Sequence, residues 1–190
     1  HGGDGNTGSN ATAFGGAASW GFQTGKSRVT VWEKTAAGTE SGGAAVTITW
    51  ANSGASVALA KIVRMSGANA GWQATTATAG DDSSGGTSVS ATGSGTLTFL
   101  TNDLLLAIFS TNSSDGIGTS PTLKATGATL GSVTERDGTT SAAGGNQGGI
   151  MPYSAAVSSG TATVAPSSTI TWTEGTPSGP IVFVRVRNAA

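Results

Sequence analysis

Polar and apolar positions alternate with period two through several short stretches of this chain, the pattern of strands that turn one face inward. In Arg28-Val29-Thr30-Val31-Trp32-Glu33-Lys34 the two valines fall on one face and Arg28, Thr30 and Trp32 on the other. Residues 45–50 gather Val46, Ile48 and Trp50 opposite Thr47 and Thr49, and Thr96-Leu97-Thr98-Phe99-Leu100 alternates again. After a Thr101-Asn102 turn comes a different pattern, Asp103-Leu104-Leu105-Leu106-Ala107-Ile108-Phe109, a continuous apolar run bounded by turn residues. It predicts a central strand covered on both faces and the most buried strand of the molecule. Ile181-Val182-Phe183-Val184-Arg185-Val186-Arg187 is β-branched and alternates near its end, which predicts a further strand. Residues 57–65 fit a short helix on periodicity alone, but their likeness to 181–187 tips them toward strand. Additional strands are predicted near 18–22, 121–125, 132–136, 150–156, 161–164 and 169–173. The stretch 66–95, interrupted by Trp72 and Asp81-Asp82, is low in complexity and predicts a connection or a long excursion across the surface.

The tetrapeptide Thr47-Ile48-Thr49-Trp50 recurs as Thr169-Ile170-Thr171-Trp172. Each copy is followed by a polar loop and then an apolar strand that ends in basic residues, at 57–64 and at 181–187. A Gly-Thr pair precedes each, in Ala37-Gly38-Thr39-Glu40 and Ser159-Gly160-Thr161-Ala162, and each half has an Asp-Gly turn near its start, at Asp4-Gly5 and Asp115-Gly116. The chain therefore reads as two related halves, 1–69 and 96–190, with 70–95 connecting them. They merge into one β-sandwich in the favoured reading and form two small tandem sandwiches in the other. In the merged form Trp50 and Trp172 occupy equivalent core positions, with Leu105 and Ile108 as core residues of the central strand. Aligning the Asp-Gly turns puts the counterpart of the 104–109 strand upstream of His1. The simpler expectation is an upstream segment that was cleaved or left out; the sharper one is a strand donated by a neighbouring subunit to an open sheet edge.

Composition narrows the class. Thirty-one of 190 residues are Gly, only 10% are charged, and the Gly spacing lacks the every-third repeat of collagen, which suits short strands joined by small-residue turns. Nine basic and ten acidic residues are interspersed, without the basic surface that phosphate binding needs, so no nucleic-acid partner is expected. There is no cysteine, so burial rather than disulfides or thiolate metal sites must hold the fold. No apolar run reaches about eighteen residues, and no membrane partner is expected.

Candidate chemistry is sparse. His1 is the only histidine; a copper brace needs a second one, a Ser-His-Asp triad would depend on this terminal residue, and no G-x-S-x-G elbow exists. The usual zinc sites are excluded for want of ligands. Glu33, Glu40, Glu135 and Glu174 stand among polar or basic neighbours, as solvated surface groups do, and none sits in an apolar pattern that raises a pKa. Asp4-Gly5-Asn6-Thr7-Gly8-Ser9-Asn10 has oxygen ligands at alternate positions but lacks the closing Glu of a calcium loop, and Asp81-Asp82-Ser83-Ser84 is similar; Asx-turns account for both. No P-loop is present. Of Trp20, Trp32, Trp50, Trp72 and Trp172, the pair Trp32 and Trp72, beside polar residues, are the candidate glycan contacts. Asn10-Ala11-Thr12 and Asn112-Ser113-Ser114 are sequons with meaning only in a eukaryotic host. No catalytic residue, metal ligand or cofactor is assigned, and the chain is expected not to be an enzyme.

The order of these motifs resembles β-sandwich modules of tailed-bacteriophage virion proteins. The residues that carry the likeness are Gly38-Thr39-Glu40, the alternating Thr-Ile-Thr-Trp strand, Arg64-Met65-Ser66-Gly67-Ala68, Asn102-Asp103-Leu104-Leu105-Leu106-Ala107-Ile108 and Val184-Arg185-Val186-Arg187. The resemblance implies an all-β fold, jelly-roll-like or immunoglobulin-like. It also implies a noncatalytic structural role on a virion, as capsid decoration or tail component, with other virion proteins and copies of itself as partners. A carbohydrate- or receptor-binding module with a cell-surface glycan as partner, and a strand-donating extracellular filament subunit, are the alternatives.

Overall fold

The computed structural model describes residues 2–3, 11–15, 21–26, 29–33, 47–50, 58–59, 61–63, 72–82, 86–111, 118–136, 138–141, 148–171 and 179–188. Within them every regular element is a strand and every pairing is antiparallel. In chain order they are β1 (Gly2–Gly3), β2 (Ala11–Gly15), β3 (Gly21–Lys26), β4 (Val29–Glu33), β5 (Thr47–Trp50), β6 (Ala58–Leu59), β7 (Trp72–Asp82), β8 (Ser88–Thr92) and β9 (Leu97–Phe99). There follow β10 (Leu104–Thr111), β11 (Thr119–Lys124), β12 (Ala128–Leu130), β13 (Thr134–Glu135), β14 (Thr139–Ser141), β15 (Gly148–Gly160), β16 (Ala162–Val164), β17 (Ser167–Thr171) and β18 (Gly179–Asn188).

The apolar run that predicts a central strand forms β10, which pairs with β15 on one side and β18 on the other. β18 in turn pairs with β7, while β12, β13 and β14 cover the far edge of β15 as three short pieces. Because side chains alternate along a strand, the central sheet feeds two cores. Leu105, Ala107 and Phe109 join Met151, Tyr153, Ile181 and Phe183 in one cluster, which also takes Val89 and Ala91 from β8, Leu97 and Phe99 from β9, and Ile170 from β17. Leu106 and Ile108 join Ile150, Val182, Val184 and Val186 in the other, with Val29 of β4 packed among them.

The layer behind the first cluster is a three-stranded sheet in the order β11-β17-β8. β8 and β17 pair from Ser88↔Thr171 to Thr92↔Ser167, the Gly93 amide donates to the Pro166 carbonyl at 2.8 Å, and β9 then pairs with β16 from Leu97↔Val164 to Phe99↔Ala162. Two strands thus run on through one irregular corner, with two more residues on the β8–β9 side than on the other between Thr92 and Leu97. Such a bend lets a strand leave one sheet and approach the next. At the other end of this ladder Gly160 takes φ +86° as β15 turns into β16, and a Cβ there would meet the Gly127 carbonyl at 2.9 Å. Gly179, where β18 begins, approaches the Ser110 carbonyl so closely that a Cβ could not fit.

Several expectations change. The 66–95 stretch, read as a connection or surface excursion, contains β7 and β8; its Ala and Thr residues carry no large apolar signal, and main-chain pairing with β18 and β17 makes the strands. Among the described residues of 57–65, Ala58–Leu59 is strand, paired with β1, and Lys61–Val63 has no regular structure. β4, expected to be half-buried, buries Thr30 as well as Val29. The glycine-rich 144–147 and the repeat residue Trp172 lie outside the described residues.

Candidate functional site

A group of charged side chains, Asp103, Arg185 and Arg187, gathers where β9 turns into β10. The Asp103 amide donates to the Leu100 carbonyl at 3.0 Å, and Asn102 takes φ +73°, a left-handed conformation that Asn tolerates better than most residues. This turn aims the Asp103 carboxylate inward, where it is 2% exposed. Its Oδ1 accepts from Arg187 Nε at 2.7 Å, and its Oδ2 accepts from Arg187 Nη2 at 2.6 Å and from the Leu100 amide at 2.8 Å. The Thr98 carbonyl accepts from Arg185 Nη1 at 2.8 Å and from Arg187 Nη2 at 3.1 Å. Two arginines of β18 therefore hold β9 and its turn in place through one carboxylate and one carbonyl.

The electrostatics follow from that geometry. Hydrogen bonding to Asp103 raises the Arg187 pKa above its ordinary value, against the smaller effect of burial. Burial lowers that of Arg185, the charge of Arg187 adds to the lowering, and Asp103 partly offsets it. The hydrogen bonds of Asp103 and of the two guanidinium groups run from β18 to β9 and its turn, so the arrangement acts as a clasp between strands.

A second polar link joins the two sheets. Tyr153 of β15 and Ser168 of β17 are buried with their oxygens 2.6 Å apart, and Ser168 Oγ donates to the Thr122 carbonyl of β11 at 2.7 Å. Because the serine proton is used there, the Tyr153 hydroxyl is the donor to Ser168. Burial pushes the Tyr153 pKa up, opposed by the hydrogen bond to Ser168. On the outward side of the three-stranded sheet the hydroxyls bond across strands: Ser90 with Thr169 at 2.8 Å, Thr122 with the Thr169 backbone, and Thr171 with the Thr119 carbonyl at 3.1 Å. Thr98 and Thr163 repeat the arrangement on β9 and β16 at 2.9 Å. Lys124 is the charged residue among these strands.

The residues singled out in the sequence are dispersed. Trp32 is half-buried on β4, opposite Phe22 of β3, with its indole nitrogen withdrawn from solvent. Trp72 opens β7 opposite Asn188, so strand pairing does not bring the two candidate glycan contacts together. Trp50 stands in β5 opposite Ala11. Leu105 and Ile108 are buried, the first in the cluster facing β17 and the second in the cluster containing Val29. Glu33 ends β4, and Glu135 is exposed and accepts from the Gly138 amide at 3.3 Å. Asp81 and Asp82 end β7 opposite Pro180 and Gly179. His1, Asp4 and the loop that follows it, Asn10, Trp20, Glu40, Asn112, Trp172 and Glu174 lie outside the described residues. Among the described residues no three His, Cys, Asp or Glu side chains gather as a metal site would require, and no helix is long and apolar enough to cross a membrane.

Asp103, Arg185, Arg187, Tyr153 and Ser168 were not flagged from sequence. A signal for the arginines exists: 181, 183, 185 and 187 share one parity, so the alternation that turns Ile181 and Phe183 inward turns Arg185 and Arg187 the same way.

Replacing Arg187 by Met should leave the Asp103 carboxylate buried without its main partner and lower stability by about 3–5 kcal/mol in urea unfolding. Adding Asp103→Asn should recover part of the loss, because it removes the charge and keeps an acceptor for the Leu100 amide. Equal instability of single and double variants contradicts the clasp.

Tyr153 is the only tyrosine, so tyrosinate absorbance reports it alone. Its folded pKa is raised, so its contribution to stability is fully present below the unfolded value of about 10 and is lost as pH rises above it. The folded chain should show no tyrosinate step near pH 10 before it unfolds, and Tyr153→Phe should flatten the alkaline loss of stability. A step near pH 10 with the fold intact contradicts the buried link.

No protein-family model, no curated protein and no solved structure matches this chain.

Proposed function

We propose that the protein is a noncatalytic structural component of a tailed-phage virion, a capsid decoration or tail protein, working through contacts between subunits. The fold in this reading is one β-sandwich whose halves are related by the Thr-Ile-Thr-Trp repeat. Support for the sandwich is the single apolar cluster shared between β10, β15 and β18 on one side and β8, β9 and β17 on the other. Support for the repeat is its pairing: β5, the first copy, lies antiparallel to an earlier strand of its own half, β2, through an irregular register, and β17 lies against β11 in the same manner. The virion assignment itself draws on the sequence resemblance in 38–40, 64–68, 102–108 and 184–187.

The observation that carries the noncatalytic reading is where the polar groups go. The buried carboxylate and both arginines of β18 are used to join strands, and Tyr153 and Ser168 join sheets. What β8, β17, β9 and β16 turn outward is mainly Ser and Thr hydroxyl, a surface suited to packing against another protein with little desolvation of charge.

Immunogold electron microscopy of particles from a culture that makes the chain tests this directly. Gold at regular positions on a shell or tail is the expected result, and particles free of label beside a soluble pool of the protein would overturn it.

A further inference from the structure

We draw no further inference here: the strongest candidate, the outward face of the three-stranded sheet β11-β17-β8, where Ser88, Ser90, Thr122, Thr169 and Thr171 set hydroxyls in rows across the strands, carries nothing because its printed hydrogen bonds run within the sheet and nothing in the structure shows what covers it.

Discussion

The constraint on which this structure depends is that β10 must be apolar on both faces while its backbone bonds are satisfied on both sides. Leu105, Ala107 and Phe109 go to one core, Leu106 and Ile108 to the other, and β15 and β18 supply the hydrogen bonds. A buried strand cannot leave amides and carbonyls unpaired, so both neighbours have to be long and themselves largely apolar. A slip of one residue would exchange the two faces. Phe109 would then be forced among the valines of the second core, and Leu106 and Ile108 would move into the first. The register is pinned at each end by a feature without alternative: the Asp103 turn at the start, and the close passage of Gly179 over the Ser110 carbonyl near the finish.

Polar groups inside the molecule are placed at joints between segments distant in sequence. Asp103 and Thr98 meet Arg185 and Arg187, and Tyr153 meets Ser168 and through it Thr122. A buried ion pair adds little net stability, since desolvation consumes much of its attraction. Its value here is in choosing one arrangement: a β9 shifted along β18 would strand a carboxylate and two guanidinium groups in an apolar layer. The hydroxyls on the outer sheet act more weakly, each cross-strand pair contributing a few tenths of a kcal/mol to about 1 kcal/mol. On the three-stranded sheet the outward positions are mostly hydroxyls, with Lys124 as the charged exception. The short strands β12, β13 and β14 break the β15 edge of the large sheet into pieces.

How much of this was legible in the chain depends on side-chain size. The run at 103–109 and the alternation at 181–187 announce their strands because large apolar residues report burial. β7 went unread because Ala and Thr in alternation give no apolar moment, and only β18 beside it makes it a strand. The corner between β8 and β9 was invisible for a related reason: Gly93 and Pro166 look like ordinary turn residues, and their hydrogen bond exists only once two remote ladders align. The clasp was half written in the sequence. The parity of β18 points its arginines inward, but their acceptor, Asp103, is 84 residues away from Arg187, and no local pattern links them. The glycan candidates Trp32 and Trp72 were chosen by polar neighbours in sequence, a criterion that ignores the β3 partner of the first and the β18 partner of the second.

Hydrogen exchange of the native chain, followed by mass spectrometry or residue by residue, tests the double covering of β10 most directly. The amides of residues 105–110 should exchange only through global unfolding, at the slowest rates in the molecule and with the same dependence on denaturant as the unfolding transition. Exchange there as fast as in the exposed strand β11, and insensitive to denaturant, would mean that one face of β10 is open to water, and the account of the fold built on it would be wrong.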